Sequence, residues 1–145
     1  MGNLPKTPFE KILFSQKKTL LIASILGFLA VAIGAFGAHA LKAHLLLIGK
    51  IEVFETASKY HFYHSFLLVL IGILQFNMKT KWLSYASCAI FFGILFFSGS
   101  LYALALTGIG LLGAVAPIGG VFLLIGWFLI GKSVYEEEAK AWLMS

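Results

Sequence analysis

The sequence predicts an all-α integral membrane protein with four transmembrane helices in an antiparallel bundle. Three observations support this fold class. The chain has 145 residues, 60% of them hydrophobic, and a mean hydropathy of +0.95, which is more apolar surface than a soluble domain of this size can bury. Charged residues lie mainly at the ends of long apolar segments. These segments can supply the roughly 20 residues that a helix needs to cross a bilayer.

The charged residues exclude several kinds of site. All 11 basic residues are lysines and all 6 acidic residues are glutamates, so arginine cannot provide bidentate binding of phosphate or carboxylate. The formal net charge of +5 does not indicate a nucleic-acid partner, because the lysines flank apolar segments and orient a membrane protein. Cys88 is the single cysteine, which excludes a disulfide framework and a CxxC zinc motif.

The first two predicted spans lie between charged residues. The first uncharged run covers residues 19–38. It is longer than the ~7–15 apolar residues of a signal peptide, so we predict a retained helix over 19–40. A second run without lysine or glutamate lies between Lys59 and Lys79 and predicts a helix over 60–77. Lipid-exposed backbone must form hydrogen bonds within its own segment, which favours helices.

The last apolar run holds two predicted spans. The run between Lys81 and Lys132 is about 50 residues long, which suits two crossings rather than one. The glycines of residues 107–110 interrupt helical continuity. We therefore predict helices over 82–106 and 111–131.

Short interfacial helices are expected outside the four spans, at 8–16, 44–57 and 133–143. The first begins with a capping box, Thr7 to Glu10, that has proline at its first helical position. Apolar residues among lysines then suit a helix on the membrane surface. The predicted organisation is a cytoplasmic tail with this amphipathic helix, one transmembrane domain and a second cytoplasmic tail, at 1–18, 19–131 and 132–145.

The lysines predict that both termini are cytoplasmic. Eight of them lie in the two tails and the turn at 78–81, which share one side of the predicted topology. The other side carries three, Lys42, Lys50 and Lys59. Positive charge concentrates on the cytoplasmic side of membrane proteins.

Polar and small residues gather near the outer ends of all four predicted spans. Because the antiparallel topology brings these ends into one layer, we predict a polar pocket near the outer leaflet. Pro117 removes a backbone donor and is expected to kink or splay the fourth helix. The candidate pocket residues are His39, Tyr60, His61, Tyr63, His64, Ser98, Tyr102 and Pro117.

Small residues predict close helix packing. Ala30, Gly34 and Ala38 form one stripe that permits a neighbouring backbone to approach. The full set of expected packing residues is Ala30, Gly34, Gly37, Ala38, Gly99, Gly119 and Gly120. The intramembrane histidines also have a purely structural interpretation, since hydrogen bonds between helices contribute about 0.6 kcal/mol each. For His39 and His64 both interpretations stay open.

Together, four motifs resemble those of the family catalogued as domain of unknown function 423. They are GAFGAH (34–39), FETASKYHFYH (54–64), FSGSLYALAL (97–106) and APIGG (116–120). The resemblance covers about 19–131. It implies a four-helix integral membrane protein, bacterial or organellar, with no established activity, and we expect the bacterial inner (plasma) membrane. His39 and His64 match motif positions, whereas His61 stands where the family often has glutamine.

Three function classes are compatible with these residues. The favoured class is a non-catalytic accessory, scaffold or ligand-binding protein without a cofactor, in a larger membrane complex or a homo-oligomer. The first alternative is an oligomeric passive transporter or channel for a small solute. All glutamates lie outside the predicted spans, which disfavours cation-coupled transport. The second alternative is a haem-, metal- or quinone-binding subunit with His39 and His64 as ligands.

An enzyme is not predicted. Ser98 and Ser100 have no identifiable base with an acid behind it, and the chain has no GxSxG motif. Hydrolytic chemistry is therefore the least favoured function.

Overall fold

The computed structural model describes residues 15–78 and 80–144, and these residues contain helices and no strand. The elements are α1 (Gln16–Ala38), α2 (Lys42–Leu47), α3 (Ile51–Asn77), α4 (Lys81–Thr107), a 3-10 turn (Gly110–Ala114) and α5 (Ala116–Met144). The predicted helix at 8–16 and most of the tail at 1–18 lie outside the described residues.

Three segments are long and apolar enough to cross a membrane, namely Gln16–Ala38, Lys81–Thr107 and Gly110–Ala139. They correspond to the first, third and fourth predicted spans. The all-helical fold is confirmed, as is the presence of three helices of membrane-spanning length and polarity. α3 has 27 residues, the same length as α4, but is not one of the three.

Two helices extend beyond their predicted bounds. α3 begins at Ile51 rather than at residue 60, so the surface helix expected at 44–57 is divided between α2 and the first turns of α3. Gly49 separates them with a φ of 63°, a conformation that glycine adopts without strain. α5 continues without a break to Met144, so the expected surface helix at 133–143 is its C-terminal part.

Consecutive long helices make the three large interfaces, α1 with α3, α3 with α4 and α4 with α5. Each pair is antiparallel. In the first pair, Gly34 faces Ser58 at one end and Gly72 faces Leu20 near the other.

We call the region where α1 ends and α3 begins, together with the α4–α5 connection, the loop end. The opposite side, where α1 begins and α3 ends, is the terminal end. The main core lies between them and includes the fully buried Leu68, Ile71, Leu83 and Ile90. It therefore holds the central parts of the helices together, while a second, smaller core of Leu45, Phe54 and Ala105 lies at the loop end.

Pro117 does not kink α5. It lies in the first turn, directly after the 3-10 turn, where a helix has no intrahelical acceptor for its backbone N–H groups. The Val115 carbonyl accepts hydrogen bonds from the next two N–H groups, those of Ile118 at 3.1 Å and Gly119 at 3.3 Å. The expected kink inside a helix is therefore replaced by a helix start.

The glycines differ in their packing. A Cβ at Gly119 would collide with the backbone of Phe97 in α4, so this is a very close approach between two helices. Gly120 makes only ordinary contact with the Phe97 ring, and Gly99 has nothing within 4 Å. Gly99 is exposed, so within this chain it does not pack against another described helix.

Candidate functional site

The loop end contains a cavity of about 170 Å³ between α1 and α3, with α2 at its rim. A cavity of roughly 150 Å³ can hold benzene, so this space suits a group of about six non-hydrogen atoms. The lining residues are Gly34, Gly37, Ala38, Lys42, Ile51, Phe54, Glu55 and Ser58.

Small residues of α1 line this space and let α3 approach closely. A Cβ at Gly34 would lie 3.1 Å from Ser58 Oγ, and a Cβ at Gly37 would collide with the Phe54 ring. Ala38 also lines the cavity but is exposed. A larger side chain at Ala38 therefore adds volume at the cavity lining, at an exposed position.

The rim carries both signs of charge. Lys42 of α2 and Glu55 of α3 line the cavity and are exposed. Glu55 Oε2 lies 3.9 Å from Lys59 Nζ, and the two side chains are 56% and 62% exposed. Ion pairs this exposed contribute about 0–1 kcal/mol. The pair with Lys59 is thus weak enough for Glu55 to bind another cation.

A polar contact between α3 and α4 lies beside the cavity. The Tyr102 hydroxyl is 3.5 Å from His61 Nδ1, the outer limit for a hydrogen bond. The Tyr102 ring also packs edge-on against Phe54, with centroids 5.1 Å apart. His61 is 5% exposed, and its Nε2 has no hydrogen-bond partner among the described residues. Polar side chains therefore extend from the cavity into the interface between α3 and α4.

His64 is held by its own helix. Its Nδ1 lies 2.8 Å from the Tyr60 carbonyl, so this nitrogen carries the proton and donates. The imidazole also stacks on the Tyr60 ring at 5.7 Å, and that ring packs against Phe97 at 4.6 Å. These contacts explain the orientation of His64 without a ligand.

His39 and His64 are not at the same depth. Gly37 of α1 lies beside Phe54 of α3, which places His39 level with the start of α3. His64 lies ten residues beyond Phe54, or roughly 15 Å along the helix axis. The exposed His39 and the buried His64 of one chain are therefore too far apart along the helices to ligate the same metal or haem iron. Among the described residues, no group of three or more His, Cys, Asp or Glu could hold a metal ion.

The remaining candidates lie apart from the cavity. Tyr63 and Pro117 are exposed. Ser98 is 1% exposed, and its Oγ has no hydrogen-bond partner within the described ranges. Of the eight predicted pocket residues, the structure brings together His61 with Tyr102 and Tyr60 with His64.

The residues that line the cavity were mostly missed as site residues by the sequence prediction. Gly34, Gly37 and Ala38 were predicted for packing. Phe54 and Glu55 were assigned to the interfacial helix expected at 44–57, and Lys42 and Ser58 fell outside the predicted helices. A signal was present, since the FETASKYHFYH motif starts at Phe54. If this motif is helical from its first residue, positions 54, 55 and 58 share one face.

A second polar cluster, at the terminal end, was not predicted. Gln75 Nε2 lies 3.4 Å from Ser87 Oγ, and Thr19 Oγ1 lies 3.5 Å from the same oxygen. Gln16 Nε2 donates a hydrogen bond to the backbone carbonyl of Gln75 at 2.7 Å. Thr19, Gln75 and Ser87 are buried. The cluster joins α1, α3 and α4, and we assign it a structural role.

Comparison with known proteins places the cavity within a shared region. A family model described as protein of unknown function (DUF423) matches residues 33–120, which include the whole cavity lining. No solved structure matches the chain.

Three relatives illustrate the similarity. The UPF0382 membrane protein SSP2132 of Staphylococcus saprophyticus is 40% identical over 117 residues, covering 79% of this chain and 94% of the relative. The UPF0382 membrane protein YwdK of Bacillus subtilis is 38% identical over 121 residues, covering 79% and 94%. The UPF0382 inner membrane protein YgdD of Escherichia coli K12 is 36% identical over 113 residues, covering 77% and 84%.

Proposed function

The chain belongs to the DUF423 family of membrane proteins, and we propose that it is a non-catalytic binding protein whose ligand occupies the cavity at the loop end. The cavity itself, with Lys42, Glu55 and Ser58 in its lining, is the observation that carries this proposal. Two opposite charges and a hydroxyl can bind and orient a small polar group. The proposed function is non-catalytic because covalent catalysis would also need a nucleophile activated by an oriented base, which binding of a small polar group does not require.

α3 is proposed as a fourth membrane crossing. It packs between α1 and α4, which both have membrane-spanning length and polarity. Its polar residues His61, His64 and Gln75 are buried against protein. Its exposed large side chains include Phe62, Phe66, Leu70, Ile73 and Phe76. A helix with polar groups inside and apolar groups outside suits lipid surroundings.

The proposed orientation places the loop end outside the bacterial inner membrane. Eight of the eleven lysines then lie with both termini on the cytoplasmic side. At the terminal end, Lys132 Nζ lies 3.7 Å from the centroid of the Trp82 ring. This cation–π contact suits the membrane–water interface, where tryptophan and lysine are both favoured.

A homo-oligomer or larger membrane complex is the proposed setting. α1 and α5 each form a large interface with a single long helix, α3 and α4 respectively. Their remaining surfaces expose large apolar side chains such as Phe28 and Phe128. These surfaces are available to lipid, a second copy or another membrane protein.

Filling the cavity tests the proposed binding function. Wild type, Ala38→Leu and Ala35→Leu are purified from native membranes in mild detergent, and their bound small molecules and lipids are identified by mass spectrometry. Ala38 lines the cavity, whereas Ala35 is exposed on the same helix and lies outside the lining. We expect a molecule retained by wild type and Ala35→Leu to be lost from Ala38→Leu. The same bound molecules in all three proteins would refute the proposal.

A further inference from the structure

We propose that the cavity ligand is a small zwitterion with a primary ammonium group held by Glu55 and an anionic group, such as phosphate, held by Lys42. This inference rests on the proposed binding function and names the chemistry of its ligand. The amino-ethyl phosphate group, found in a lipid headgroup or in a free solute, has the required arrangement.

The charged side chains of the cavity can bind two ligand groups of opposite charge. Lys42 comes from α2 and Glu55 from α3, and both line the same cavity. They do not form a salt bridge with each other; Glu55 instead approaches Lys59. A ligand with both charges can therefore contact each side chain without breaking an ion pair between them. A purely anionic ligand would leave Glu55 facing a like charge.

The lining also favours a primary ammonium. Such a group has three N–H donors, and Glu55 and Ser58 offer acceptor oxygens three residues apart on one helix. Ile51 and Phe54 provide apolar surface for the methylene groups between the charges. At about 170 Å³, the cavity accepts the amino-ethyl part while the phosphate lies at the rim beside Lys42.

The neighbouring helix places the rim among lipid headgroups. In α2 and directly after it, Leu46, Leu47 and Ile48 are 55%, 84% and 37% exposed. Exposed apolar residues beside lysines are typical of a segment that lies in the membrane interface. The zwitterion can therefore reach the cavity either as part of a lipid or from solution.

Charge-neutralising variants test the inference. Lys42→Gln and Glu55→Gln are compared with Lys50→Gln and Glu52→Gln, which remove the same charges outside the cavity lining. Native mass spectrometry measures retention of phosphatidylethanolamine against phosphatidylglycerol, and calorimetry measures binding of O-phosphoethanolamine. We expect Glu55→Gln to reduce the preference for the zwitterion about fivefold, and Lys42→Gln to weaken both ligands by a similar factor. The two controls should behave as wild type.

The outcomes answer two separate questions: whether the ligand is a lipid or a free solute, and whether it is a zwitterion. Variant-dependent lipid preference without phosphoethanolamine binding supports a lipid, and variant-dependent phosphoethanolamine binding without lipid preference supports a free solute. An effect of Lys42→Gln alone identifies an anion site and overturns the zwitterion. If both variants match their controls, the inference fails. The binding function survives that failure if Ala38→Leu still releases its bound molecule.

Discussion

Individual glycines set how closely the helices approach. Gly99 and Gly119 both lie in motifs rich in small residues, and the sequence predicted packing at both. Only Gly119 lies against a neighbouring backbone, that of Phe97, whereas Gly99 faces open space. Glycine is recognisable in the sequence, but the surface that it faces depends on the rotation of each helix against its neighbour. That rotation is set by tertiary packing.

Alanine substitution should separate these two glycines. Gly119→Ala is expected to destabilise the protein by about 1–3 kcal/mol, because its methyl group forces α4 and α5 apart. Gly99→Ala should be neutral or stabilise by up to about 1 kcal/mol, because alanine is the better helix former and meets no atom. Unfolding of the purified protein in mixed detergent and sodium dodecyl sulfate measures both. Equal losses of stability would contradict the described α4–α5 interface.

At the scale of elements, the positions of charged residues predicted the bounds of three long helices well and those of α3 poorly. Lysines bound α1, α4 and the apolar part of α5, so their spans were predictable. In α3, Glu52, Glu55 and Lys59 suggested that residues before 60 lie outside the membrane, in a separate surface helix and a connection, although they lie on the exposed face of the same helix. Phe54, Ala57, His61 and His64 are buried on the other face and have the spacing of one helical surface. Apolar periodicity here is a better guide than charge.

The position of α3 also explains why His39 and His64 lie at different depths, although they were predicted to lie at the same level. A span that begins at residue 60, as predicted, would place His64 near its outer end, at the level of His39. Contact between Gly37 and Phe54 instead places His64 well inside the helical layer. Antiparallel topology is predictable from loop lengths, whereas the register between two helices comes from their packed side chains.

Single cysteines test whether α3 crosses the membrane. In a Cys88→Ser background, Lys50→Cys and Asn77→Cys place thiols at the two ends of α3. We expect a membrane-impermeant maleimide to label Lys50→Cys in intact cells and Asn77→Cys only after permeabilisation. Labelling of both positions from one side would show that α3 does not cross.

At the scale of the whole molecule, the sequence located the polar region but not the cavity. The family motifs identified the relevant ends of α1 and α3, and hydropathy identified the membrane fold. The cavity arises because Gly34, Gly37 and Ala38 meet Phe54 and Ser58 across one interface. The motif that starts at Phe54 could have indicated which residues of α3 share the lining face, but an empty volume depends on the relative positions of two helices, which a local pattern does not give.

Accessibility of Ser58 tests an outward-opening cavity most directly. In a Cys88→Ser background, Ser58→Cys should react in intact cells with a small, impermeant thiol reagent, and adding Ala38→Leu should slow that reaction. Lys50→Cys, at the start of α3, is the control for labelling from outside, and Ser65→Cys is the buried control on the same helix, since Ser65 is 2% exposed. Reaction of Ser58→Cys from outside, with none at Ser65→Cys, is the predicted result. A Ser58→Cys thiol that stays unreactive while Lys50→Cys reacts, or that reacts only after permeabilisation, would contradict it.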